Sequence, residues 1–375
     1  MKPLRFLYML HLPPPFHGAA LTEKRLLEMD LSPLTVEKVL LEIRMTDRME
    51  ELRRFRFHKV RLALGLLFRL LRFSKEEPFD VALFAFTSRG WALLRDALLM
   101  RVLKGRSRHI IVYFSDRIPF SPGWARRLLR GSMNGCWIIL HTPLLYKGHE
   151  ELFPRERVFF LPNGLPVDVD DRSAAEWLAR RRVRSGGPIR LLFLSHMVRS
   201  KGLFTLIEAL SLLSAQGVDF LVTFVGAFQK EGDRLHFLKE IEGSGLSGKV
   251  SWCGSVLGDE KWRYYAEADI FVFPTQMEAF GNVAVEAMEA ALPVVASREG
   301  SLPEIIQEGE TGLLVAAGDS RELADAIAEL SGDPERRAEF GRRGRERFLR
   351  LYTQRTYRER VVTFLERLLV GGKGE

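Results

Sequence analysis

Two glutamates stand eight positions apart in the stretch EAFGNVAVE, at Glu278 and Glu286. Carboxylates at such a spacing can accept hydrogen bonds from sugar hydroxyls. Between them lie Phe280, Gly281 and Asn282, whose backbone N–H groups fall where a helix begins. The N–H groups of a helix start attract phosphate, and glycine lets a ligand come close to the backbone. The chemistry on offer is recognition of a phosphorylated, hydroxyl-rich molecule. The same two glutamates would also suit a helix whose dipole they merely complement.

The elements that must hold these residues can be read around them. DIFVFP reads as a buried strand, TQMEAFG as the loop at its C-terminal end, Asn282 as an N-cap and VAVEAMEAA as the helix. Ligands in open α/β sheets bind beyond the C-terminal ends of strands. The same alternation fills the chain. RFLYML, DVALFAF, HIIVYF, CWIIL and RVFFLP read as strands in the first half. IRLLFLS, DFLVTFVG, KVSWCGSV, DIFVFP, PVVAS and GLLV do so in the second. Helical patterns separate them, and the strands are continuous apolar runs, as in parallel sheets covered on both faces. The length of 375 residues exceeds one ordinary core. Turn residues and charge gather near residues 165–188. The expected division is a Rossmann-like domain at 1–168, a linker at 169–188, a second Rossmann-like domain at 189–355 and a C-terminal helix at 356–375, free to cross back.

Composition narrows the function classes. The net charge is +8, unevenly spread. Residues 1–187 carry 33 basic and 20 acidic side chains, and the remainder 23 and 28. A basic half can face anionic lipid, nucleic acid or a phosphorylated substrate, and its arginines can equally be there to solvate helix faces. It carries no nucleic-acid recognition motif, so nucleic acid is not expected as a partner. Cys136 and Cys253 lie far apart in apolar contexts and read as small buried hydrophobes. No cysteine–histidine cluster suggests a metal. Asp168 and Asp170 form a DxD pair, but in the linker rather than at a strand end. The N-terminal apolar run, interrupted by Arg5, reads as a first strand rather than a signal peptide. No stretch is long and apolar enough to span a bilayer, and a cytoplasmic protein is expected.

EAFGNVAVE resembles the E-x7-E motif of the family 4 glycosyltransferases, which have the GT-B fold of two Rossmann-like parallel-sheet domains facing across a cleft. The surrounding PTQMEAFGNVAVEAMEAALPVVASREGSLPEII, then GETGLLVAAGD, LADAIAEL and the upstream LSHMVRSKGLFTLIEAL, are similar to that family in order and content. LPNGLP resembles the end of its first domain, and YMLHLPPPFHGAAL its first strand and glycine loop. The resemblance implies transfer of a sugar from a nucleoside-diphosphate sugar to a hydroxyl acceptor. Anomeric configuration is retained, and no metal or other cofactor is required. It implies that Lys201 neutralises the diphosphate, Gly18 lets the first loop approach it, Glu286 holds the ribose and Glu278 contacts the transferred sugar. The acceptor class stays open among glycans, lipid-linked molecules and small molecules. The expected setting is synthesis of cell-surface glycan, glycolipid or polysaccharide.

The chain departs from the family at three places. His196 stands where an arginine is frequent, and Arg199 is the substitute candidate for the diphosphate. A first-domain histidine near the acceptor is absent from IIVYFSDRIP, where Asp116 is the candidate catalytic group. Gly300-Ser301 replaces a frequent Gly-Gly. His11 and His17 flank the proline loop, with His17 beside Gly18. A protein of this fold that binds nucleotide sugar or lipid without turnover is the alternative. Two basic apolar segments suit a peripheral, anionic membrane surface. VRLALGLLFRLLRF carries Arg61, Arg69 and Arg72 in one sector, as a core-packed helix with one wet stripe would. SPGWARRLLRGS carries Trp124, Arg126, Arg127 and Arg130.

Overall fold

The computed structural model describes residues 2–14, 18–44, 57–73, 77–115, 117–118, 123–183, 187–256 and 258–371. His17 and Asp116 lie outside the described residues. The chain divides into two compact units, residues 1–163 with 357–375, and residues 164–356.

The first unit is built on the strands β1 (Leu4–Leu10), β2 (Val36–Glu42), β3 (Phe79–Ala85), β4 (Ser107–Tyr113), β5 (Trp137–Leu140) and β6 (Val158–Phe160). Their order across the sheet is β2-β1-β3-β4-β5-β6, and every pairing is parallel. The helices are α1 (Gly18–Glu28), α2 (Phe57–Phe73), α3 (Gly90–Lys104) and α4 (Gly123–Met133). One face of the sheet packs its apolar side chains with Leu66 and Leu70 of α2, Leu93 and Leu103 of α3 and Leu129 of α4. The other face packs with Leu26 of α1 and with residues from Tyr357 onward, where Phe364 stacks on Phe159 at 4.5 Å.

The second unit begins with α5 (Asp171–Val183) and continues through β7 (Ile189–Leu194), α6 (Leu203–Ala215), β8 (Phe220–Val225), α7 (Glu231–Gly243) and β9 (Val250–Trp252). Next come α8 (Lys261–Glu267), β10 (Ile270–Phe273), α9 (Asn282–Glu289), β11 (Val294–Ser297), α10 (Leu302–Ile305) and β12 (Gly312–Val315). The helices α11 (Ser320–Ser331), α12 (Pro334–Leu351) and α13 (Gln354–Gly371) follow, and α13 passes into the first unit at Tyr357. The sheet order is β12-β11-β10-β7-β8-β9, again all parallel. Chain order therefore reverses between β7 and β10, whose register pairs Ile270 with Leu191. Crevices in doubly wound sheets open at such a reversal.

Three readings of the sequence are corrected here. β2 was not among the expected strands; it is an edge strand with polar, exposed positions at Glu37 and Lys38, so it lacks a continuous apolar run. Cys136 is buried as expected, but Cys253 is exposed, because it follows the edge strand β9. The α2 helix is not core-packed with a single wet stripe: Leu62, Leu64, Phe68 and Leu71 are exposed together with its arginines.

Of the DxD pair, the Asp170 carboxylate and the Asp168 backbone N–H are spent on local structure. Asp170 accepts from the N–H and hydroxyl of Ser173 at the start of α5. The N–H groups of Asp168 and Val169 both donate to Glu289 Oε1, at 2.5 and 2.8 Å. Arg345 of α12 donates to the carbonyls of Glu289 and Val169. Glu289 is almost wholly buried, and burial pushes its carboxyl up to about 7. The two backbone N–H groups and Arg345 oppose that shift without cancelling it. A carboxyl whose folded pKa is raised favours folding most at low pH, and that contribution is lost as pH climbs through the folded value. Glu289→Gln keeps an acceptor for both amides and removes the charge. The stability of the variant relative to wild type, read from melting temperatures, should rise between pH 5.5 and pH 8 by up to roughly 2 kcal/mol. A constant difference across that range would contradict a titrating Glu289.

Candidate functional site

The site is built from the loops that leave β7 and β10, the two strands at the reversal. After β7 the chain passes His196 and makes a short 3-10 turn, Arg199–Lys201. Gly202 then takes a left-handed conformation, φ 79°, and α6 begins. A Cβ at Gly202 would lie 1.8 Å from the carbonyl oxygen of Pro274, the residue after β10. Only glycine satisfies both the dihedral and the approach. The Ser200 carbonyl accepts from the N–H groups of Gln276 and Met277 at 2.9 and 3.2 Å, and the Thr275 hydroxyl lies 3.2 Å away.

That junction places Lys201 against Glu278. Lys201 Nζ donates to Glu278 Oε2 at 2.8 Å and to the Met277 carbonyl at 3.1 Å. Glu278 Oε1 accepts from the N–H of Ala279. Both side chains keep a minority of their surface in solvent, 21% and 16%, so the pair is reachable by a ligand.

Gly281, at φ 101°, is the N-cap of α9, and Asn282 is the first helical residue rather than the cap. The ring of Phe280 is buried against Tyr352, so only its backbone faces the loop chemistry. Glu286 sits in the second turn of α9. Its Oε1 accepts from Lys261 Nζ at 2.8 Å, and its Oε2 from the Tyr265 hydroxyl at 3.0 Å. Burial, and then Glu286, push the Tyr265 phenol well up, so it stays a protonated donor.

His196 is half-buried, and burial followed by the nearby Lys201 depresses its pKa. It is a neutral imidazole at pH 7 and donates through one nitrogen. Arg199 is exposed, with its guanidinium 4.5 Å from the Phe204 ring centroid. Ser301, in place of a second glycine, donates its hydroxyl to the Ala279 carbonyl at 2.6 Å and braces the Glu278 loop.

In the first unit, Gly18 opens α1 and its carbonyl accepts from the Thr22 hydroxyl. His11 follows β1, and its N–H donates to the buried Glu23 at 2.6 Å. Lys261 and Tyr265 were not foreseen as site residues. They lie one turn apart on α8 and therefore on one face, a spacing visible in KWRYY, but nothing in that string names Glu286 as their common partner. No group of three or more metal-ligating side chains occurs among the described residues.

Residues 176–347 match the sequence family described as Glycosyl transferases group 1. A GDP-mannose-dependent alpha-(1-6)-phosphatidylinositol monomannoside mannosyltransferase of Mycobacterium tuberculosis is 32% identical over 204 residues, 52% of this chain and 51% of that protein. A D-inositol 3-phosphate glycosyltransferase of Arthrobacter is 35% identical over 158 residues, 42% of this chain and 37% of that one. The chain thus spans about half or less of the length of these curated relatives. The crystal structure of Anabaena Alr3699/HepE in complex with UDP superposes with a TM-score of 0.73 at 17% identity, covering 97% of this chain and 99% of that one.

A direct test of the junction compares two left-handed glycines. A Cβ at Gly217, φ 78°, meets nothing within 4 Å. Gly217→Ala should cost only the strain of the dihedral, about 1–2 kcal/mol. Gly202→Ala carries the same strain and a clash with a backbone carbonyl, so it should melt at least several degrees lower than Gly217→Ala. Equal melting temperatures would remove the close approach to Pro274. The group 1 signature, the paired six-stranded parallel sheets and the lysine–glutamate pair at the strand reversal converge: residues 176–347 match the group 1 glycosyltransferases in sequence, and the fold is GT-B.

Proposed function

We propose that the protein transfers a sugar from a nucleoside-diphosphate sugar to a hydroxyl acceptor, with retention of anomeric configuration and without a metal ion. The observation that carries this reading is the Lys201–Glu278 pair at the strand reversal of a group 1 domain. As the bond between the anomeric carbon and the β-phosphate oxygen breaks, negative charge grows on the diphosphate. Lys201 meets that charge where it develops, which is how a fixed cation lowers a barrier. The acceptor oxygen bonds to the anomeric carbon on the same face, and its proton passes to the departing diphosphate. Glu278 accepts from the transferred sugar, Glu286 from the ribose. His196 adds a neutral donor beside the phosphates, and the backbone at Phe280, Gly281 and Asn282 lines the helix start. Two relatives act, by name, on a phosphatidylinositol mannoside and on inositol 3-phosphate. They favour a lipid-linked or polyol acceptor.

The test is a panel of nucleotides and nucleotide sugars, read by thermal shift and by release of nucleoside diphosphate. Wild type should be stabilised by one donor and should release its nucleotide slowly. Lys201→Ala should cut turnover by about 10²–10³-fold. Glu286→Ala should weaken donor binding, and Glu278→Ala should mainly slow transfer. Stabilisation without release, in the presence of candidate acceptors, would favour the binding-only alternative. Full activity in all three variants would refute the assignment.

The first unit supports a second component of the reading, peripheral contact with an anionic membrane surface. The helices α2, α3 and α4 are neighbours, with α3 in the middle. Leu64, Phe68, Trp91, Leu94, Leu98 and Trp124 are all exposed on them, Phe68 and Trp124 by 68% and 60%. Arg61, Arg69, Arg72, Arg127 and Arg130 are exposed among these apolar groups. The three helices contain a single acidic residue, Asp96, and it is fully buried. Apolar side chains interleaved with arginine and no exposed carboxylate suit an anionic lipid headgroup layer. No helix among the described residues is long and apolar enough to cross the bilayer. Arg126 is a weaker contributor, since it pairs with Glu151 at 3.2 Å. Wild type should float with vesicles containing anionic phospholipid and stay down with neutral ones. Reversing Arg69, Arg127 and Arg130 to Glu should lower the bound fraction at least about tenfold, given about 1 kcal/mol per basic side chain. Equal flotation of both proteins would sink this face as the contact.

A further inference from the structure

Each glutamate of the motif has its own lysine. Glu278 has Lys201, and Glu286 has Lys261, at the same 2.8 Å. Lys261 is the first residue of α8, and Tyr265 lies one turn later on the same face. Between them they hold both oxygens of Glu286, Lys261 on Oε1 and Tyr265 on Oε2. The Lys261 ammonium also lies 4.6 Å from the centroid of the Trp262 ring.

We propose that Lys261 is a positioning residue that sets the Glu286 carboxylate to read a vicinal diol, the 2′- and 3′-hydroxyls of a ribonucleotide. This rests on the assignment of Glu286 to the ribose. A carboxylate oxygen has two acceptor positions. With one position on each oxygen filled by the protein, one on each is left. Two acceptors held about 2.2 Å apart in one plane, the spacing any carboxylate has, match two adjacent hydroxyls that donate side by side. Tyr265 alone cannot hold that plane. Its single hydroxyl proton has a second acceptor, the Val283 carbonyl at 3.2 Å. Without the lysine the tyrosine can turn to Val283, and the carboxylate is free to rotate out of the plane of the diol. Hydrogen bonds from the diol to a carboxylate are stronger than those to a neutral acceptor. The role is distinct from that of Lys201, which is assigned to the diphosphate.

The consequence is discrimination between ribose and 2′-deoxyribose. The experiment measures the affinities of UDP, GDP and their 2′-deoxy forms by titration calorimetry for wild type, Lys261→Met, Lys261→Arg and Glu286→Gln. Met keeps the apolar stem over Trp262, so α8 should be preserved. Wild type should bind the ribo form of its nucleotide about tenfold or more tightly than the 2′-deoxy form, the range for one hydrogen bond to a charged group. Lys261→Met should reduce that ratio to about threefold or less, while the 2′-deoxy affinity changes little. Lys261→Arg should restore most of it. A folding defect lowers both affinities together and leaves the ratio alone, so an unchanged ratio in Lys261→Met overturns the proposal. If Glu286→Gln loses the preference while Lys261→Met keeps it, the ribose assignment stands and only Lys261 falls. If wild type shows no preference, or binds neither nucleotide, both fall.

Discussion

The carbonyl of Ser200 is the contact on which the second unit's chemistry depends. It receives two backbone N–H groups from the loop after β10 and lies within reach of the Thr275 hydroxyl. A carbonyl so used fixes the separation of two loops that belong to different strands. It can do so only because Gly202 lets the chain turn left-handed directly against Pro274. The strand order supplies the reason the two loops are adjacent at all: β7 and β10 are hydrogen-bonded neighbours although α6, β8, α7, β9 and α8 intervene in sequence. Side-chain placement at the site is therefore inherited from main-chain geometry. Lys201 and Glu278 meet because their backbones are already locked, so little conformational entropy is spent when they pair.

Charge is arranged in the same economical way. Two carboxylates near one helix start would repel each other if left bare. Each instead has one ammonium at 2.8 Å, with partial exposure on both sides. Partial exposure matters: it limits the desolvation cost that makes a wholly buried pair expensive, and it leaves room for a ligand to displace one partner. A diphosphate arriving beside Lys201 would compete with Glu278 for the ammonium and release a carboxylate oxygen for a hydroxyl. Glu289, one turn beyond Glu286 on α9, shows the contrasting case. It is buried, its nearest donors are backbone amides, and its pKa is driven up to about 7. Three glutamates on one short segment thus have different work, set by their surroundings and not by their type.

Much of this was legible in the sequence where the information is local. A continuous apolar strand, a loop with glycine and a small-residue helix lie within about twenty residues, and EAFGNVAVE falls among them in order. Among the described residues, eleven of the twelve strands are apolar runs that announce themselves. The other, β2, sits at a sheet edge, and the exposed Glu37-Lys38 pair and Glu42 break VEKVLLE so that no continuous apolar run marks it. Lys261 and Tyr265 escaped for another reason. Their partner is more than twenty positions away across β10, and only packing of α8 beside α9 brings them to it. Cys253 was misread because an apolar neighbourhood in sequence, VSWCGSV, follows an edge strand whose side chains face outward.

The α2 helix exposes a limit of apolar patterning that has a physical basis. Hydrophobicity around most of a helix says that its surface is poorly suited to water; it does not say what removes the water. A core would do so, and so would a membrane or a partner. Leu66 and Leu70 of α2 belong to the core and Leu67 and Phe73 pack partly against it, whereas Leu62, Leu64, Phe68 and Leu71 are exposed together with the arginines. The charge statistics of the first 187 residues then acquire a location. Basic residues there exceed acidic ones by thirteen, and three adjacent helices with no exposed carboxylate account for a large share of that excess. A surface that was merely solvated would gain from intermixed charges of both signs. An arginine-rich face that also carries exposed tryptophan and phenylalanine lacks that advantage in water, which is the basis for the proposed contact with an anionic surface.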